Sequence, residues 1–245
     1  LAPYLDLHGR WGHRMGNAEI YDSMLRDGLN DAFSDQHSGW HTEDLVSRFD
    51  ISREDQDRWA ARSQQRFSEA QAAGRFDAEI VPVEVTSHKD GTITAGNAPG
   101  LNTGAAAMIV ADRAWAERRG LEPMARLVSY GIGAVEPGYF GLGPVPAVQQ
   151  ALARAGWSMG DIERIEINEA FAAIVLALTR ELGLAEDIVN VEGGAIAHGH
   201  PIGATGAVLT TRLLHAMARD GVRRGVVTLC IGGGQGVALA LERLA

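Results

Sequence analysis

The sequence predicts an α/β fold built in layers. Strand-like and helix-like segments alternate from Ala125 to the end, and the strand segments are short apolar runs such as Gly225–Leu229 that suit burial on both faces. Glycine fills 30 of 245 positions, so many turns are tight and many backbones pass close together.

The elements follow in order. Leu1 to Gly16 mixes aromatic, His, Arg and Gly residues without a period and reads as loop; the chain also opens on Leu rather than Met, which suggests that this is not its biological start. Ala18 to Phe33 places Ile20, Met24, Leu25 and Leu29 at helical spacing, and a short helix over Thr42 to Phe49 follows the turn His37-Ser38-Gly39. Ser52-Arg53-Glu54-Asp55 resembles a capping box, opening a long polar helix that runs to about Ala73 and stops at Gly74. Ile80 to Val85 is a strand candidate, Asp90-Gly91 a turn, and Thr92 to Gly104 a loop rich in Gly and Asn. The small apolar run Ala105 to Ala111 predicts a buried strand, and Arg113 to Arg119 a helix ended by Gly120. Strands are then expected over Ala125 to Tyr130, Ile162 to Ile167, Gly225 to Leu229 and Gly236 to Leu241. Helices are expected over Val145 to Ala155, Phe171 to Leu182 and Thr205 to Ala218.

Bulk properties exclude several classes of function. A formal charge of −9 argues against nucleic acid or an anionic membrane as the main partner. The longest apolar stretches, such as Phe171 to Leu178, fall far short of the roughly 20 residues that span a bilayer, and no signal-peptide pattern opens the chain. One cysteine, Cys230, rules out an internal disulfide framework and fits a reducing, cytoplasmic setting.

Three segments carry chemistry. Asn168-Glu169-Ala170-Phe171-Ala172 sits between a strand and a helix, where α/β folds place ligands; its bland reading is a helix cap. Gly193 to Gly206, with His198-Gly199-His200-Pro201 at its centre, lets backbone approach a ligand closely just before a helix N-terminus. It matches neither a phosphate-binding P-loop nor the dinucleotide fingerprint, and the His-x-His pair lacks a nearby Cys, Asp or Glu, so no metal is expected. Cys230-Ile231-Gly232-Gly233-Gly234 ends a buried strand, leaving bare N–H groups beside a sulfur; a lone Cys there is otherwise an inert core residue. On chemistry alone Cys230 and His200 read as a nucleophile–base dyad.

In this order and spacing, these segments resemble the signatures of the thiolase family. The resemblance extends through Arg14-Met15-Gly16, Asp22-Ser23-Met24, Gly74-Arg75-Phe76, Thr94-Ala95-Gly96-Asn97 and Asn102-Thr103-Gly104-Ala105. It implies a layered αβαβα fold divided into a helical loop domain over 1–99, the last strand and helix of an N-terminal domain over 100–122, and a C-terminal domain over 123–245. It also implies a coenzyme-A-dependent acyltransferase, usually a dimer or tetramer, acting on acyl-CoA and coenzyme A as substrates with no permanently bound cofactor.

The likeness revises the dyad. Thiolases use a nucleophilic Cys in the N-terminal half and a second Cys as acid and base on the α-carbon, and Cys230 matches the second. By the same likeness His200 activates the nucleophile and helps hold the thioester oxygen, Asn168 positions a water at that oxyanion site, and the Gly232 N–H serves the second oxyanion site. His37, Ala95, Ala98, Phe171 and Ile202 would line the pantetheine channel, and Ser38 and Phe140 stand where short-chain thiolases carry Met. The widened side should accept a longer or branched acyl group, although Ser38 could instead bond a polar substrate group or cap the following helix.

Two departures matter. The half that would carry the nucleophile, on the order of a hundred residues, is not in this sequence, and a stretch of roughly thirty residues that packs on coenzyme A is expected but missing near Ser87-His88. Pro99 also replaces a pantetheine-bonding Ser, so weak coenzyme A binding is expected of this chain. A non-catalytic thiolase remnant serving as a binding partner, or a ketoacyl-synthase-like condensing enzyme, are the alternatives.

Overall fold

The computed structural model describes residues 3–13, 15–80 and 102–244. The predicted strand beginning at Ile80 and the residues Ala95, Ala98 and Pro99 fall wholly or largely outside them.

Strand β1 (Tyr4–Leu5) pairs antiparallel with β2 (Tyr21–Asp22). This corrects the helix expected from Ala18, because only a π-helical turn over Leu25–Leu29 forms. The stripe has nothing to bury against: Ile20 is 67% exposed and Leu25 40%. Local side chains also take the backbone donors, with the Asp22 carboxylate accepting from Met24 N–H at 2.9 Å and Asp31 accepting from Phe33 and Ser34 N–H.

Helix α1 (Ser38–Phe49) begins four residues earlier than expected because His37 caps it, its ring Nδ1 accepting from Gly39 N–H at 3.0 Å. Ser38 is therefore the first helical residue rather than the cap. Helix α2 (Arg53–Ala72) opens as predicted, Ser52 Oγ accepting from Asp55 N–H, and it buries Trp59 and Ser63. Helix α3 (Arg113–Glu117) is capped by Asp112.

The run Ala105 to Ala111 is irregular and mostly exposed, with Ile109 at 90%, rather than a buried strand. A strand needs neighbours for its N–H and C=O groups, and no described strand lies beside this one.

The rest builds one sheet. Strands β3 (Ala125–Ala134), β4 (Arg164–Ile167), β5 (Arg224–Ile231) and β6 (Gln235–Arg243) lie in the order β3-β6-β5-β4, with β4 and β5 parallel and the other pairs antiparallel. Helices α4 (Pro144–Ala155) and α5 (Ala172–Leu182) cover one face; the short α6 (Ala195–His198) precedes α7 (Thr205–Asp220), which covers the other. Strand alternation produces the two cores: Val226 and Ala240 pack toward α4 and α5, whereas Val227 and Leu241 pack toward α7. On α7 the buried residues Leu209, Leu213 and Met217 recur every four positions, each burial stabilising by about 2 kcal/mol. Helices α4, α5 and α7 stop on left-handed glycines Gly156, Gly183 and Gly221. Helices α1 and α2 pack on α5, bringing the N-terminal part of the chain over the sheet's edge.

Candidate active site

Because β4 and β5 run parallel, their C-terminal ends share one edge of the sheet, and the candidate residues Asn168 and Cys230 lie there. Asn168 follows β4 directly, its N–H donating to Thr228 O at 3.1 Å, and Cys230 lies two residues past Thr228 on β5. The loop from Gly193 to Gly203 arches over the same edge and sets Nε2 of His200 3.3 Å from Asn168 Nδ2. Gly232 opens the turn after Cys230, where a Cβ would meet nothing within 4 Å. The two histidines of the His-x-His pair separate: His198 turns toward Phe67, with ring centroids 6.0 Å apart, while His200 faces Asn168. No group of three or more His, Cys, Asp or Glu is placed to hold a metal among the described residues.

Several supports were not legible in the sequence. His200 Nδ1 lies 2.7 Å from the hydroxyl of Thr205, a residue with no exposed surface, and the His200 N–H donates to Asn102 Oδ1 at 3.1 Å. Glu169, read from sequence as a cap, is a buried clamp. Its Oε1 accepts from Trp59 Nε1 and Asn190 Nδ2, and its Oε2 from Ser63 Oγ and Ile196 N–H. Asn190 in turn bonds both backbone groups of Ile167, extending β4 as a neighbouring strand would. Thus α2, β4 and the His200 loop are locked to one carboxylate. Asn102, Glu169 and Thr205 fall in segments that stand out in the sequence, but residue type does not reveal the roles of these four, because their partners lie 5 to 110 positions away.

Burial sets the proton inventory. It pushes the His200 pKa down, so the ring is neutral and its lone pair available near neutral pH. Burial, with Arg212 adding to it, pushes His198 down to about 3. Desolvation pushes the Cys230 thiol up to about 12, so the sulfur keeps its proton until a base or an oxyanion draws it.

The remaining site residues divide. Phe171 and Cys230 pack against the same core cluster that contains Phe140, and Phe140 itself is buried in that core beside α1 and α5 rather than facing open space. Ile202 is 55% exposed and lies beside Gly28, while Phe33 reaches the Gly233 turn. His37 and Ser38 are half-buried; His37 also borders a depression of about 610 Å³ with Asn30, Trp40 and Glu43, which does not include Cys230 or His200.

A sheet edge carrying a neutral, oriented histidine, and a protonated thiol just before a glycine turn, marks an α/β protein equipped for acid–base and nucleophilic chemistry. Comparison with known proteins narrows it. The family model described as "Thiolase, C-terminal domain" matches residues 121–243, and "Thiolase, N-terminal domain" matches 2–90. The chain is 46% identical to the cytosolic acetyl-CoA acetyltransferase of Mus musculus, covering 99% of this chain and 68% of that protein, and 46% identical to the acetyl-CoA acetyltransferase of Paracoccus denitrificans, covering 95% and 67%. The mouse alignment runs over 273 positions against a chain of 245 residues, so close to thirty positions of that relative face a gap. Solved structures agree: the Bacillus anthracis acetyl-CoA acetyltransferase superposes at a TM-score of 0.88 with 36% identity, covering 99% of this chain and 68% of that one. The human mitochondrial 3-ketoacyl-CoA thiolase in complex with CoA superposes at 0.87 with 35% identity, covering 99% and 68%. The chain belongs to the thiolase family of acyltransferases, and it spans about two thirds of the length of these relatives.

Proposed function

We propose that this protein moves acyl groups between coenzyme A thioesters by the thiolase reaction, cleaving a 3-ketoacyl-CoA with coenzyme A or joining an acyl-CoA to acetyl-CoA in reverse. The observation that carries this reading is the contact between His200 and Asn168 at the edge where Cys230 ends its strand. His200 takes the proton of an attacking thiol and, with a water held by Asn168, receives the thioester oxygen; Asn168 Oδ1 is buried and has no partner among the described residues, which leaves it free to accept from that water. Cys230 returns and removes the proton at the α-carbon, and the Gly232 N–H supports the second oxyanion. The nucleophile of the acyl-enzyme has no counterpart in these 245 residues, whose one cysteine is Cys230. Acyl transfer is therefore proposed only for a form of the protein that carries such a nucleophile.

Coenzyme A itself is the substrate, supported by the CoA complex of the human relative. Its pantetheine would pass His37, Phe171 and Ile202, together with Ala95 and Ala98, and the acyl group would meet Ser38, while Phe140 backs that wall from within the core. Binding by this 245-residue chain alone is weak, and micromolar affinity in calorimetry would contradict that. The mouse relative is a cytosolic enzyme, and a cytoplasmic setting suits a chain with a single free thiol. A dimer or tetramer is the expected assembly.

The test is thiolysis of acetoacetyl-CoA and of a medium-chain 3-ketoacyl-CoA by the complete gene product. His200→Ala and Cys230→Ala should each lower kcat about 100-fold or more. No coenzyme-A-dependent cleavage by the wild type would end the proposal. Each added methylene contributes about 0.8 kcal/mol in a pocket widened at Ser38, so two carbons favour the longer substrate roughly tenfold, and Ser38→Met should erase that preference.

A further inference from the structure

We propose that Thr205 is a positioning residue that holds His200 in the tautomer with the proton on Nδ1, so that Nε2 presents its lone pair to the reacting thiol. The proposal rests on the acyl-transfer reading of the site for its catalytic consequence, but its structural content stands apart from it.

The bonds around the ring run in one direction. Asn168 Nδ2 donates, and it faces His200 Nε2 at 3.3 Å, so Nε2 must accept. A neutral imidazole with an accepting Nε2 carries its proton on Nδ1, which then donates to Thr205 Oγ1 at 2.7 Å. The single hydroxyl proton of Thr205 is directed onward to Pro201 O at 2.8 Å. Reversing the chain, with Thr205 donating to Nδ1, would place a proton on Nε2 against the Asn168 amide, setting two donors face to face. It would also remove the acceptor that a thiol needs.

Geometry makes Thr205 suited to this work. It opens α7, it is fully buried, and its hydroxyl reaches back over one turn to Pro201, so its rotamer is held by a bond inside the same loop. The His200 backbone is fixed separately by Asn102, so loss of the Thr205 hydroxyl should change the tautomer before it moves the ring out of the site.

The experiment is ¹⁵N NMR of the protein labelled at its histidine rings, together with kinetics of the complete gene product. Expected for the wild type is a protonated, pyrrole-type Nδ1 and a pyridine-type Nε2 at His200. Thr205→Val, which keeps the shape and removes the hydroxyl, leaves Nδ1–H without an acceptor and should shift the ring toward the opposite tautomer, the Asn168 amide turning its unpartnered Oδ1 to accept from Nε2–H. It should lower kcat about tenfold or more with KM within about twofold, and Thr205→Ser should restore both readouts. A wild-type His200 protonated on Nε2, or a Thr205→Val protein with unchanged tautomer, overturns the proposal. Should the wild type show no thiolysis, the acyl-transfer reading fails while the NMR still decides the tautomer.

Discussion

Replacing Glu169 by Gln would test whether one buried carboxylate ties α2 to the loop that carries His200. The carboxylate accepts four bonds at 2.6 to 3.1 Å, two on each oxygen. A Gln amide has one oxygen and one donor group. Placed with its nitrogen at the Oε1 position, it confronts the N–H groups of both Trp59 and Asn190. Placed at Oε2, it confronts Ile196 N–H and forces Ser63, which already accepts from Gly194 N–H, to turn its own proton elsewhere. Either way at least one buried donor is orphaned, at about 1–3 kcal/mol, and the surviving bonds lose their charge assistance. The expected total is about 3 kcal/mol, which for a protein of this size lowers Tm by about 6–12 °C. Urea unfolding and calorimetry measure the total, and hydrogen exchange locates it: α2 should lose protection first, because Trp59 and Ser63 are its buried anchors. A loss below about 0.5 kcal/mol, or one spread evenly over the fold, would refute the clamp.

Three further outcomes are expected. In Gly236→Ala the new methyl overlaps the Gly143 backbone at the start of α4, so stability should fall by about 1–3 kcal/mol or more in urea melts; a neutral variant would mean that the contact yields freely. Burial raises the Glu166 pKa from 4.5 to about 7, so the folded state holds a proton that the unfolded state releases between those values. The wild type should therefore gain stability over Glu166→Gln as pH falls from about 7 to 4.5, on the order of 3 kcal/mol, and a difference independent of pH would contradict the shift. Alkylation of Cys230 should speed up about tenfold per pH unit from 7 to 10 with no plateau, because its thiol is pushed up to about 12; a plateau near pH 8 would show an ordinary thiol.

Much of the fold was legible because its signals are local. The Ser52 cap, the polar run of α2, the apolar stripe of α7 and the short strands β4 and β5 each advertise themselves within a few residues. The expectations over Ala18 to Phe33 and Ala105 to Ala111 failed for the complementary reason. Both segments have the right periodicity or composition, but an apolar stripe becomes a helix, and an apolar run a strand, only against a partner surface that the described residues do not provide.

The site divides the same way. Asn168, His200, Cys230 and Gly232 stand out in the sequence as candidates because residue type and neighbouring glycines are local signals. Sequence alone also determined the family, since the spacing of three segments is a one-dimensional property. What only the tertiary structure decided is the state of those residues. The neutrality of His200 comes from burial beneath a loop, its orientation from Asn168 32 positions earlier and from Thr205, and the reluctance of Cys230 to ionise from the low dielectric of a core assembled by α1, α4 and α5. Protonation and hydrogen-bond direction depend on which atoms lie within about 3 Å and on how much water is excluded, and only the folded chain sets those distances.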